Sequence, residues 1–214
     1  MNLKNKNILI VAAHPDDDLL GCGGTILKAI KNGSKIKILF LGEGVSSRFE
    51  NIYQVKKEFK LASNIRYEEC KNSLKILGIN NYIFEKRLCT RFDELPLIDL
   101  VKSIEREIKS FSPQIIFTHN NFDVNIDHNI THKAVEVATR PDSKLKHISI
   151  YSFEIVCSSN FTFSKSFIPT SYVDISKEIN KKLKAWKCYN TETKNFPFPR
   201  SEDGLITLAK FRGM

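Results

Sequence analysis

The stretch Ile8-Leu9-Ile10-Val11-Ala12 runs directly into Ala13-His14-Pro15-Asp16-Asp17-Asp18, and its reading decides the fold. Five apolar residues in a row, without polar alternation, suit a strand covered on both faces, as in a parallel sheet. The histidine and three carboxylates then stand at the carboxyl end of that strand. A second segment repeats the arrangement. Gln114-Ile115-Ile116-Phe117-Thr118 reads as another buried strand, followed by His119-Asn120-Asn121-Phe122-Asp123-Val124-Asn125-Ile126-Asp127-His128.

The chain around these segments alternates in type. Gly23 to Asn32 reads as a helix stopped by Gly33, and Lys35 to Leu41 as a second strand. A helix is expected within residues 51–77, ending near Gly78. Tyr82-Ile83-Phe84 suits a short strand. Leu97, Leu100, Val101, Ile104 and Ile108 recur at helical spacing, and Ser112-Pro113 breaks the pattern. A helix from Ile126 to Ala138 stops at Arg140-Pro141. Residues 148–156 read as strand, 158–171 as the least regular stretch, 175–189 as a helix and 205–211 as a short one. Strand–helix alternation with apolar strands predicts an α/β fold. It is a Rossmann-like three-layer sandwich, with a mostly parallel sheet, helices on both faces and one domain over residues 1–214. In such sheets ligands bind beyond the carboxyl ends of the strands, so both histidine-bearing segments fall on one edge.

Bulk properties exclude several classes. The 214 residues carry a net charge of +9, with 42% hydrophobic and 27% charged residues, which suits a globular domain with a core. Lys, Asn and Ile are frequent throughout, so the dispersed charge reads as composition. The alternative is a field that attracts an anionic substrate. No apolar run reaches the roughly 18 residues of a membrane span. The N-terminal residues lack the pattern of a signal peptide, and a cytoplasmic location is expected. No zinc-finger or basic–aromatic pattern points to nucleic acid. Cys22, Cys70, Cys89, Cys157 and Cys188 are scattered, without a disulfide or thiolate-metal pattern. Nothing fixes the oligomeric state, and homo-oligomerisation stays open. Gly21-Cys22-Gly23-Gly24 follows the acidic string rather than joining strand to helix, and three carboxylates would repel a phosphate there.

Three adjacent carboxylates are costly to bury without a cation. His14 adds a neutral nitrogen beside them. A histidine from the second segment would complete a His–Asp–His set, and three protein ligands with one open position is the layout of a catalytic zinc site. The alternative is a loop whose carboxylates favour a helix N-terminus.

These two segments resemble the signatures of the PIG-L/LmbE-like N-acetylglucosamine deacetylase family: Ala13 to Asp18 is similar to its Ala-His-Pro-Asp-Asp-Glu motif, and Asp123 to His128 to its motif ending in Asp-His. Gly44 to Arg48, Ala138 to Pro141, Ser152 to Ile155 with Ser158-Ser159, and Phe196 to Ser201 are similar to one bacterial branch. The resemblance implies that His14, Asp17 and His128 bind Zn2+ or another divalent ion. It implies Asp16 as general base and Asp127 beside the metal site, tuning it. The implied reaction hydrolyses the acetamido group of an amino sugar, such as a nucleotide sugar or glycoconjugate precursor of surface-glycan biosynthesis. The rivals are hydrolysis of another N-acyl amide, and sugar binding by a catalytically weak relative.

The chain departs from the pattern at three places. Asp18 stands where the family usually has Glu. Asn125 and Ile126 stand where many members have His and Pro, so any oxyanion donor at 125 is an uncharged amide. Lys210 to Met214 end where similar proteins run on, which reads as a naturally short or truncated chain. Arg48, Arg140 and Glu154 are the expected substrate contacts, and Arg200 a further candidate. His119 is expected to fix the site by hydrogen bonding, Arg91 to pair with Asp93, and His132, one turn after His128, is a weaker ligand candidate.

Overall fold

Strand β1 (Asn7–Ala12) lies at the centre of the sheet, and its residues alternate between two cores. Ile8, Ile10 and Ala12 pack in one cluster, and Leu9 and Val11, with Ala13 beyond the strand end, in the other. That two-residue alternation is why the sequence is apolar throughout: both faces are covered. The structure, a computed structural model, describes residues 1–51, 53–141, 147–163 and 165–214. The expectations for residue 52 within the 51–77 helix and residue 164 within the irregular stretch lie outside the described residues.

The other strands are β2 (Lys35–Gly42), β3 (Tyr82–Arg87), β4 (Ile115–His119) and β5 (Ser149–Phe153), in the order β3-β2-β1-β4-β5. All four pairings are parallel. The expected Rossmann-like α/β fold is the one observed. Helices α1 (Asp17–Lys31), α2 (Lys56–Leu77), α5 (Ile179–Trp186) and α6 (Glu202–Gly213) pack in the first cluster; α3 (Leu97–Phe111) and α4 (Ile126–Ala138) pack in the second. No described helix is long and apolar enough to cross a membrane.

Chain direction across the sheet reverses between β1 and β4, which pair with Ile8 opposite Ile115 and Ile10 opposite Phe117. The segments following these two neighbouring strands therefore emerge side by side at the switch point, where a crevice opens in folds of this kind.

Element boundaries shifted where tertiary contacts decide them. Helix α1 begins at Asp17, six residues before the expected Gly23, and runs through a kink at Cys22 (φ −140°, ψ 19°). Two glycines in its first turns serve close packing. A Cβ on Gly21 would lie 2.3 Å from Phe153 Cδ2, and one on Gly24 would lie 2.6 Å from Ile175 Cδ1. Helix α5 covers Ile179–Trp186 and is shorter than the expected 175–189.

Candidate metal centre

The loop after β1 carries His14, Asp16 and Asp17 into the crevice. Asp17 Oδ2 accepts the His14 backbone N–H at 2.8 Å, which closes the turn at the head of α1. Asp16 takes φ 134°, a strained backbone for a non-glycine residue, as is common where side-chain placement is functional. Gly44, just after β2, also has positive φ (+81°), and a Cβ there would meet His14 Cβ at 3.2 Å and Pro15 Cδ at 3.3 Å. Glycine lets the two loops approach this closely.

The second segment supplies His128 from α4. The Asn125 side chain caps that helix, accepting the Asp127 N–H at 2.9 Å, which fixes the first turn where Asp127 and His128 stand. His14, Asp17 and His128 come together: one ligand-type atom from each lies within 4.8 Å of the others, and all three are buried. His14 Nδ1 is 3.5 Å from Asp17 Oδ2, and His128 Nε2 is 3.4 Å from Asp17 Oδ1.

Each histidine turns its other nitrogen to a second carboxylate. His14 Nε2 lies 2.8 Å from Asp127 Oδ2, and His128 Nδ1 lies 3.1 Å from Asp123 Oδ2. Asp127 is itself held by the backbone N–H groups of Thr90 and Phe92, the latter at 3.1 Å. Asp123 accepts from the hydroxyls of Ser158 (3.0 Å) and Ser159 (2.7 Å). Carboxylate-backed imidazoles are the usual support of metal-binding histidines, fixing tautomer and ring orientation. Two imidazole nitrogens and one carboxylate suit a zinc-type ion, so the residues present fit the expected group.

Electrostatics agree. Burial pushes the His14 and His128 imidazoles down, yet neighbouring carboxylates override it. Asp127 and Asp17 hold His14 well above its ordinary range, and Asp17 and Asp123 lift His128 to about 9. Burial would raise Asp17, but the His128 charge holds it well below the usual carboxylate range. A cluster that attracts protons this strongly offers a cation the same field. Asp16 moves the other way: burial first, then the Asp17 charge, raises it against Arg66 and Arg200. Asp18 is fully buried, neither side-chain oxygen has a hydrogen-bond partner among the described residues, and burial pushes it to about 7.

His119 ends β4 and stacks on His128 with ring centroids 4.0 Å apart. Its Nε2 accepts the Ala13 N–H at 2.9 Å, tying the two loops together. Burial and the His128 charge depress it to about 4, so it is neutral. His132 turns away from the ligand set, its Nδ1 lying 2.8 Å from the His119 carbonyl.

A cleft opens over these groups, lined by His14, Asp16, Asp17, Asn125 and His128 together with Arg48, Arg66, Glu192 and Arg200. Arg48 therefore faces the cleft. Two expected substrate contacts do not. Arg140 donates to Glu105 at 3.1 Å and to the Val137 carbonyl at 2.7 Å, serving as a cation at the end of α4. Glu154 forms a two-pronged pair with Arg212, both contacts 2.8 Å, which satisfies its charge against α6. Arg91 pairs with Glu94 (3.2 Å), not with Asp93. Arg66, Glu192 and Asp123 were not singled out from sequence. Asp123 had a signal in its place within the second motif; Arg66 and Glu192 had none.

An all-parallel sheet whose switch point carries a His–Asp–His cluster beside another buried carboxylate defines a Rossmann-like α/β protein with a candidate metal centre. Residues 9–139 match the PIG-L family, described as GlcNAc-PI de-N-acetylase, and the chain belongs to that family. A curated relative, the uncharacterized deacetylase YaiS of Escherichia coli K12, is 32% identical over 142 residues, covering 64% of this chain and 70% of its own. Among solved structures, N,N'-diacetylchitobiose deacetylase from Pyrococcus horikoshii aligns with TM-score 0.71 at 22% identity over 97% of this chain and 78% of its own. The 4-carboxy-2-hydroxymuconate hydratase GalB from Pseudomonas putida KT2440 aligns with TM-score 0.74 at 20% identity over 97% of this chain and 86% of its own. At these identities the likeness concerns the fold, which hosts more than one chemistry.

Proposed function

We propose that the protein is a zinc-dependent N-deacetylase that hydrolyses the acetamido group of an amino sugar, a nucleotide sugar or glycoconjugate precursor, to amine and acetate. The observation that carries this reading is the meeting of His14, Asp17 and His128 beside buried Asp16, in a chain of the PIG-L family. His14 through Nδ1, His128 through Nε2 and Asp17 would hold the ion; another divalent cation could serve. Such an ion, when bound, supplies Lewis acidity and favours deprotonation of water near neutral pH.

The chain's own groups do the rest. Asp16 takes the proton of the attacking water and passes it to the leaving nitrogen as the C–N bond breaks. Asp127 keeps His14 oriented. Asn125, whose side-chain oxygen is used as the helix cap, has its amide nitrogen left to donate to the oxyanion. Arg48 contacts the substrate from the other wall. Residues 1–214 act as one domain in this reading, because Glu192 and Arg200 from the C-terminal part line the same cleft as His14.

Asp16→Asn tests the assignment. Its bound-metal content should equal wild type, while acetate release from N-acetylated amino sugars falls by about 10²–10⁴-fold. Turnover at the wild-type rate would remove Asp16 from the mechanism. A panel of non-sugar N-acyl compounds, turned over faster than any acetamido sugar, would overturn the substrate class.

A further inference from the structure

We propose that Ser159 is a positioning residue for His128. The direction of its hydroxyl proton makes Asp123 a pure acceptor, which holds a proton on His128 Nδ1 and leaves Nε2 to face Asp17. What this means for ion binding rests on the deacetylase reading above; the hydrogen-bond argument does not.

Ser159 stands in the turn that leaves β5 and is fully buried. A hydroxyl has one proton to give and two lone pairs with which to accept. Both lone pairs are taken. One accepts the Ile155 backbone N–H at 2.8 Å, a group that can only donate. The other accepts Asn120 Nδ2 at 2.8 Å. The Asn120 amide cannot be turned the other way round, because its Oδ1 accepts the Phe122 backbone N–H at 2.7 Å. The hydroxyl proton is left for Asp123, whose Oδ2 is 2.7 Å away. Ser159 therefore gives a proton to this contact and cannot take one.

The rest of Asp123 is committed in the same sense. Its Oδ1 accepts the Asn125 backbone N–H at 2.8 Å, and its Oδ2 also accepts from the Ser158 hydroxyl at 3.0 Å. Donors on every side favour the ionised carboxylate, which can only accept. His128 Nδ1 lies 3.1 Å from Oδ2, so the proton between them belongs to the ring. A proton held on Nδ1 leaves Nε2, 3.4 Å from Asp17 Oδ1, as the nitrogen free to ligate. Ser158 is only half-buried, and among the described residues no donor to its oxygen compels its direction.

The relay joins parts of the chain that the fold brings together at one sheet edge. Asn120 follows β4, Asp123 and His128 belong to the segment that enters α4, and Ile155 and Ser159 follow β5. The exit of the outermost strand thus fixes the state of a ring on a helix two elements away. A buried polar network in which each member is satisfied is rigid, and removing one member is felt by the others.

Nuclear magnetic resonance of the ion-free, full-length protein tests this. The His128 Nδ1–H should give a 1H–15N resonance that exchanges slowly with water, assigned by its loss in His128→Asn. Ser159→Ala should abolish the slow exchange, and Ser159→Thr, which keeps the hydroxyl, should restore it. Asn120→Ala frees one lone pair, and with it the hydroxyl's direction, so it should speed exchange by less. Chelator competition should show divalent-ion affinity weakened about tenfold in Ser159→Ala. Adding Ser159→Ala to Asp123→Asn should weaken it no further, because both act through the same carboxylate. A urea melt will register the two buried donors that Ser159→Ala leaves without an acceptor, but a merely structural serine would move only that readout. Slow Nδ1–H exchange retained in whichever of the Ala variants folds, or affinity losses that add in the double variant, would overturn the proposal. A protected Nδ1 proton, lost in Ser159→Ala, in a chain that binds no divalent ion would uphold it and count against the deacetylase reading instead.

Discussion

His14 and His128 each present one ring nitrogen to Asp17 and turn the other to a carboxylate, Asp127 or Asp123, so five side chains from two segments set the geometry of one small volume. Removing a supporting carboxylate should loosen the ligand it backs without deleting it. Asp123→Asn should weaken divalent-ion affinity by about 10–100-fold, read by competition with a chromogenic chelator; unchanged affinity would show that His128 needs no such partner. Gly44→Ala places a methyl group against His14 and forces a left-handed residue to carry a side chain. It should lower ion affinity as well as stability, the latter by about 1 kcal/mol or more in a urea melt. The candidate ligand residues were legible in the sequence because each follows an apolar strand and sits in a motif. Arg66 and Glu192 were not. They pair with each other across the chain, and a charged residue in a polar segment reads as solvated surface until the fold buries it.

Elements were legible where burial is periodic. The strands β1 and β4 and the helices α3 and α4 appear close to their expected limits, because an apolar run or a helical stripe is imposed by two-sided or one-sided covering. Helix α1 begins earlier than the expected Gly23, running through a stretch rich in glycine, a poor helix former. That propensity is overridden by close packing: Gly21 lies against the Phe153 ring of β5, and Gly24 against Ile175. Gly21→Ala should therefore cost about 1–3 kcal/mol by overpacking, although alanine is the better helix former. Chemical denaturation measures this, and a stabilised variant would contradict the packing account. Arg140 and Glu154 lie in segments similar to one family branch, yet the structure uses them to tie α4 to Glu105 and β5's outgoing chain to α6. Likeness of a segment locates it in the fold; it does not say which way a side chain is used.

At the scale of the molecule, the ion of the proposed reading would join the loops after β1 and β4, the two strands at which the strand order reverses. Anything that binds the folded state alone stabilises it, so an ion at one hundred times its dissociation constant adds about 2.7 kcal/mol. For a chain of this length that corresponds to a rise of roughly 5–10 °C in melting temperature, lost on adding a chelator. A melting temperature indifferent to chelator and to added zinc would mean the ion is not held by the fold. Acetate release from N-acetylated amino sugars, by chelator-stripped protein titrated with zinc, decides whether the ion is needed for turnover. No release is expected without metal, then a rise with added ion and a plateau at one ion per chain. Full activity in the stripped protein, or no acetate at any ratio of ion to chain, would contradict a metal-dependent deacetylase.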